Sequence, residues 1–301
     1  MPDSGEIWLV DFLHRGYQEL REAWAVFLAD PSRDHTAPGF LWKEAPEDAP
    51  ITPRDVFLQV GELVAINAAK CVLHYLHALA KAYSCERMPE GDPNPDDWPS
   101  TAVFTLARGM LEATAVVTWL MDPLLAEQDR MFRAAQITLW SEKNDRTRPA
   151  TETAAAVNRW TTAAEAIGFE VKDAGRWKVR VGLAGEFKTF GHSSVIRDVF
   201  GQVGADRYAH WSGVAHQAAW ALAPWTSVRI EEDGMGAYSS TARGETDHLD
   251  LGVAVAEIVA AAGKSIAGYW GRGIDDLREV TSALAGEFRE GARQVRSATR
   301  V

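Results

Sequence analysis

Apolar residues recur at three- and four-residue spacing through the long segments of this chain, and prolines and glycines punctuate them. From Glu6 to Ala29, residues Ile7, Val10, Leu13, Tyr17, Leu20, Trp24 and Phe27 keep that spacing. It places them on one face of a helix. Asp30-Pro31 ends the pattern, because the residue before a proline is driven out of the helical region. Residues 31–51 are rich in proline and acid, and read as a surface loop anchored by Phe40 and Trp42. Thr52-Pro53 is a strong helix start, an N-cap followed by proline at the first position. The helix it opens runs to about Glu86. Four prolines and a glycine in 88–99 exclude a regular helix there, and Ser100 can cap an apolar helix from Thr101 to Met121.

Further helices are expected from Asp122-Pro123 to about Asn144 and from Thr151 to Ile167, the latter ended by Gly168. A short one is capped by Ser193 or Ser194 and runs to Phe200. One containing Tyr208 is stopped by Pro224, and two close the chain at about His248 to Tyr269 and Ile274 to Ser297. Trp177 to Val181 alternates weakly. Trp225 to Ile230 and Ala237 to Thr241, joined by Asp233-Gly234, have the pattern of a hairpin. The expected fold is all-α, a multi-helix bundle with one small β-hairpin, forming a single helical domain over 1–301 with 88–99 as the place where it would divide.

A chain of 301 residues that is 47% hydrophobic can bury a large core without disulfides. Its net charge of −11 repels phosphate backbones and argues against nucleic acid as a partner. The two cysteines, Cys71 and Cys85, lie too far apart along one helix to bridge, which suits a reducing, cytoplasmic setting. No basic leader opens the chain and no uninterrupted apolar run of about 18 residues occurs, so neither export nor a membrane span is expected. Twelve tryptophans fit either a well-packed helical core or an aromatic-lined cavity for an apolar or cationic ligand.

Two polar stripes interrupt the apolar pattern. Tyr208, Ser212 and His216 recur every fourth residue and stack on one helix face. Arg108 and Glu112 do the same in a helix whose neighbours are Phe104, Leu111, Ala115, Val116 and Trp119. Polar groups carried into a core need partners, and two such stripes facing one another would build a polar pocket. In that pocket His216, Glu112 and Tyr208 are the candidate catalytic groups, through acid–base chemistry. Arg108, Ser212 and Arg133 are the candidate ligand-binding groups. The alternative is a satisfied helix–helix contact, with Arg108–Glu112 as a latch. Arg130 and Arg133 either add positive charge to the pocket or lie on the surface.

No metal or cofactor is expected. His74-x-x-His77 lacks a third ligand, and Glu245-Thr-Asp-His248 reads as a capping cluster at a helix start. Asn144-Asp145 with Glu152 is similar to part of the magnesium-binding motif of terpene cyclases. Arg148 replaces its middle hydroxyl, however, and Pro149 breaks the helix that would present it.

Arg108-x-x-x-Glu112, Trp119-Leu120, Arg130 with Arg133, and Tyr208-x-x-x-Ser212-x-x-x-His216 together resemble a group of uncharacterised bacterial all-helical proteins, over about residues 100–220. That resemblance implies a shared site but no activity. More distantly the chain resembles the higher-eukaryote and prokaryote nucleotide-binding (HEPN) proteins, which include defence ribonucleases. Their Arg followed by four to six residues and His is absent before His216, where Trp211, His210 and Ala209 stand. Arg243 to His248 keeps the spacing with Gly244 at the polar position.

Three functions therefore compete: a pocket that binds and acts on a small polar or anionic ligand, a HEPN-like ribonuclease, and a non-catalytic scaffold. An apolar C-terminal helix spanning Leu251 to Ile266 offers a face for a homodimer.

Overall fold

The computed structural model describes residues 4–29, 50–85, 101–173, 177–181, 185–216, 226–230, 236–240, 245–270 and 275–298. The elements run α1 (Ser4–Ala29), α2 (Pro53–Cys85), α3 (Thr101–Leu120), α4 (Glu127–Asn144), α5 (Ala150–Ala166), β1 (Phe169–Asp173), β2 (Trp177–Val181), α6 (His192–Ala215), β3 (Thr226–Ile230), β4 (Gly236–Ser240), α7 (Glu245–Trp270) and α8 (Asp275–Ala298). The fold is an all-α bundle, as the periodicity predicts. The hairpin expected near 225–241 is present as β3–β4, with Thr226 opposite Ser240 and Ile230 opposite Gly236. The weak alternation at 177–181 belongs to a second antiparallel hairpin, β1–β2, with Phe169 opposite Val181. The segment 88–99, the anchors Phe40 and Trp42, and the turn Asp233-Gly234 lie outside the described residues.

Local chemistry sets the helix ends. At the start of α2, the Thr52 N–H donates to Asp55 Oδ2 at 3.0 Å, and the Asp55 N–H donates to Thr52 Oγ1 at 3.3 Å. This reciprocal pair satisfies two of the donors that a helix start leaves open. Gly168, with φ at 85°, closes α5 by donating its N–H to the Glu165 carbonyl at 3.0 Å. The two helices expected in the 193–216 region are one element broken at Gly201. Its φ of 66° and ψ of −158° turn the chain between two helical halves. The first half starts from Gly191 rather than from a serine cap, and the second stops at His216 rather than at Pro224.

α3 is the centre of the bundle, packed against α2, α6 and α7. Val103, Ala107, Met110, Leu111 and Val117 are buried on it, and the main core extends from them to α1, α6, α7 and α8. A second cluster joins the start of α2 to α4, α5 and the β1–β2 hairpin through Phe57, Met131, Leu139, Val157, Phe169 and Val179. α2 serves both. The apolar face of α7 (Leu251, Val255, Ile258, Ala262, Ile266) packs into the chain's own core.

When a window tolerates up to two charges, α2, α3 and α7 are long and apolar enough to cross a membrane by length and composition. Charged residues interrupt each of them, Glu62 and Lys70 in α2, Arg108 and Glu112 in α3, Glu257 and Lys264 in α7, so none is a continuous apolar run. In α3 and α7 those stretches are 61% and 67% buried inside the protein, and in α2 33%.

Close packing between α7 and α8 requires a glycine. A Cβ added to Gly252 would lie 2.1 Å from Phe288 Cζ and 3.1 Å from Leu9 Cδ1, both in fully buried side chains. Gly252→Ala should therefore destabilise the protein by about 1–3 kcal/mol, read as a lower urea midpoint with an unchanged m-value.

Candidate functional site

The two stripes meet. Arg108, on the middle of α3, donates from Nε to Glu112 Oε1 at 3.1 Å and from Nη1 to His216 Nε2 at 3.3 Å. Its guanidinium also lies 5.3 Å from the centroid of the Tyr208 ring, within cation–π range. Burial opposes the charge on Arg108. The Glu112 carboxylate and the Tyr208 side chain outweigh it, and hold the guanidinium protonated more firmly than usual. Ser212 sits between them and accepts the His216 N–H through its carbonyl at 3.0 Å. Thus Arg108, Glu112, Tyr208 and His216 form one cluster, with the exposed His216 at its outer edge.

Arg133 is elsewhere. It donates to the Trp119 carbonyl and lies over the Trp119 ring at 5.1 Å, eleven residues or about 16 Å along α3 from Arg108. Arg130 is neither a pocket residue nor a surface residue. It is 4% exposed, and it donates to the carbonyls of Leu120 at 3.4 Å and Asp122 at 2.7 Å. Both arginines satisfy carbonyls that the end of α3 leaves open and complement its dipole. Burial lowers the pKa of each.

Behind Glu112 lies a groove of about 440 Å³ between α2, α3, α4, α5 and the start of α6. Its walls are mostly apolar, with Tyr75, Trp140 and Trp160 as its aromatic residues and Glu112, Thr138, Ser141, Glu142 and His192 among its polar ones. Glu112 is the one predicted site residue that lines it; Arg108 reaches it only through Glu112. Gly109 gives Tyr75 its place, since a Cβ there would fall 2.5 Å from Tyr75 Cζ. Glu142 is ion-paired with Arg148 at 2.9 Å.

Among the described residues, three buried polar atoms on this lining have no hydrogen-bond partner: Thr138 Oγ1, His192 Nδ1 and Glu142 Oε2, the last of which has its ion pair with Arg148. Burial lowers the pKa of His192 and keeps its imidazole neutral. The nearby Glu112 charge works against that shift and the Arg108 charge with it.

The groove residues other than Glu112 escaped the sequence reading. A faint signal existed in Val64, Ala68, Cys71 and Tyr75, which follow three- and four-residue spacing along α2. The other motifs are structural. Asp145 accepts from the Thr147 N–H at 2.9 Å and from Arg148 Nε at 2.6 Å, so it organises a loop. His248 is buried, and its Nδ1 is 2.9 Å from the Tyr83 hydroxyl. Among the described residues no group of three or more His, Cys, Asp or Glu side chains is placed to hold a metal ion. No family model matches the chain, and neither a curated protein nor a solved structure matches it.

Removing one member of a half-buried pair leaves its partner unmatched. Arg108→Met should cost about 1–3 kcal/mol of stability, and the double variant with Glu112→Met should recover part of that loss in a chemical-denaturation cycle. His192 gives a pH signature. Its folded pKa lies below its ordinary 6.5, so below about pH 6.5 the unfolded chain binds the proton more readily. Stability is therefore full above that value and falls as the pH drops. Urea unfolding at about pH 7.5 and 5.5 should show a larger loss in the wild type than in His192→Phe.

Proposed function

We propose that this chain is a soluble, small-molecule-binding protein of the cytoplasm and that its site is the groove beside Glu112. One observation carries the reading. A concavity of about 440 Å³ with three aromatic side chains also presents a half-buried carboxylate and the Thr138 Oγ1 and His192 Nδ1 atoms, buried and without hydrogen-bond partners among the described residues. Mostly apolar pockets of this size with a few convergent polar groups are typical ligand sites. The burial of α3 and α7 within the bundle supports a soluble chain.

In this reading Arg108, Tyr208 and His216 are positioning residues. They meet one another rather than the groove, and their contacts fix the rotamer of Glu112. The latch and the pocket, alternatives in the sequence, become neighbouring parts of one site. The groove lining carries Glu112 and Glu142 and, among the described residues, neither lysine nor arginine, so this groove does not suit the polyanionic substrate of a ribonuclease.

Ala113 lines the groove from α3, and Ala113→Trp would fill it. Ligand-observed NMR with a mixed fragment set should find binders to the wild type whose signals vanish with Ala113→Trp, while the unfolding midpoint changes little. Fragments that bind both proteins equally, or none that bind at all, would defeat the proposal.

A further inference from the structure

We infer that the groove selects an organic cation, a protonated amine carried on an aromatic or aliphatic body. The inference rests on the small-molecule reading above and adds the ligand's charge. The charged part of the lining can only accept hydrogen bonds, and its hydroxyls can do so as well. Glu112 and Glu142 offer carboxylate oxygens, and Thr138 and Ser141 offer hydroxyls. His192 adds a neutral ring whose Nδ1 is buried and without a hydrogen-bond partner among the described residues, an acceptor in the tautomer protonated at Nε2. Among the described residues no lysine, arginine, asparagine or glutamine lines the groove, so an anion would find two carboxylates there and no facing cation.

The charges that balance those carboxylates come from residues outside the lining. Arg108 holds Glu112 through Oε1, and in this proposal Oε2 is the atom that meets the ligand. Arg148 holds Glu142 from the loop after α4. Thr138 is 6% exposed, and its hydroxyl, without a hydrogen-bond partner among the described residues, is an uncharged group on α4 that can accept from the ligand. Tyr75, Trp140 and Trp160 supply aromatic surfaces, which attract a cation and cover its apolar body. A desolvated ammonium here would gain a charge-assisted hydrogen bond as well as π contacts.

Three probes of one shape separate charge from fit: tryptamine, tryptophol and indole-3-propionate, titrated by calorimetry. Tryptamine should bind about tenfold tighter than tryptophol or better, and indole-3-propionate should bind weakest. Glu112→Gln should remove most of the tryptamine advantage and leave tryptophol nearly unchanged. Thr138→Val leaves the Arg108 pair intact and should weaken tryptamine several-fold, so the claim stays testable if Glu112→Gln unfolds.

Equal affinity for the three probes in the wild type, lost with Ala113→Trp, would overturn the charge inference and leave the binding proposal standing. So would indole-3-propionate matching tryptamine, or a tryptamine advantage that survives both variants. No binding by any probe, alongside fragments that do need the groove, would also sink the inference alone.

Discussion

A guanidinium carried into a packed helix has to be matched, and much of this structure follows from that requirement at Arg108. α3 bears one arginine and one glutamate among apolar residues, and it is surrounded by α2, α6 and α7. Glu112 alone would satisfy one edge of the guanidinium. The second half of α6 supplies the rest, through the ring of Tyr208 and the imidazole of His216. The polar contact thereby fixes how α6 sits against α3. Ion pairs of this kind add little net stability compared with apolar packing, but they penalise any arrangement that leaves one partner alone.

The same requirement governs the far end of α3. Its last carbonyls are covered by Arg130 and Arg133 from α4, and Arg130 packs over Tyr269 of α7 at 5.0 Å. Elsewhere, Glu257 of α7 holds Arg207 of α6 at 3.0 Å and Arg289 of α8 at 3.4 Å. These paired charges tie together helices whose apolar faces alone would tolerate several rotations.

Much of the fold was legible because helices announce themselves locally. Thr52-Pro53, Gly168 and the three- and four-residue spacing are contained within single segments. The meeting of Arg108 with Tyr208 and His216 was also readable, since each stripe has to find partners. The groove was not. It depends on Tyr75, Thr138, Trp140, Trp160 and His192, which come from four elements. Nothing in any one of those segments marks its residue as facing a void rather than a neighbour. Arg130 was misread for a related reason. Its partners are backbone carbonyls at the end of α3 and just beyond it, which have no signature in the order of side chains.

Gly201 divides α6 into two short rods with separate tasks. The upstream rod carries His192 to the groove, and the downstream rod carries Tyr208 and His216 to Arg108. A continuous helix would turn both sets of side chains about one axis, at roughly 100° per residue. With the bend, the two rods can be phased independently. Drift in length or register on one side of the hinge can then be absorbed without disturbing the other, so the pocket wall and the clasp on α3 are free to diverge at different rates.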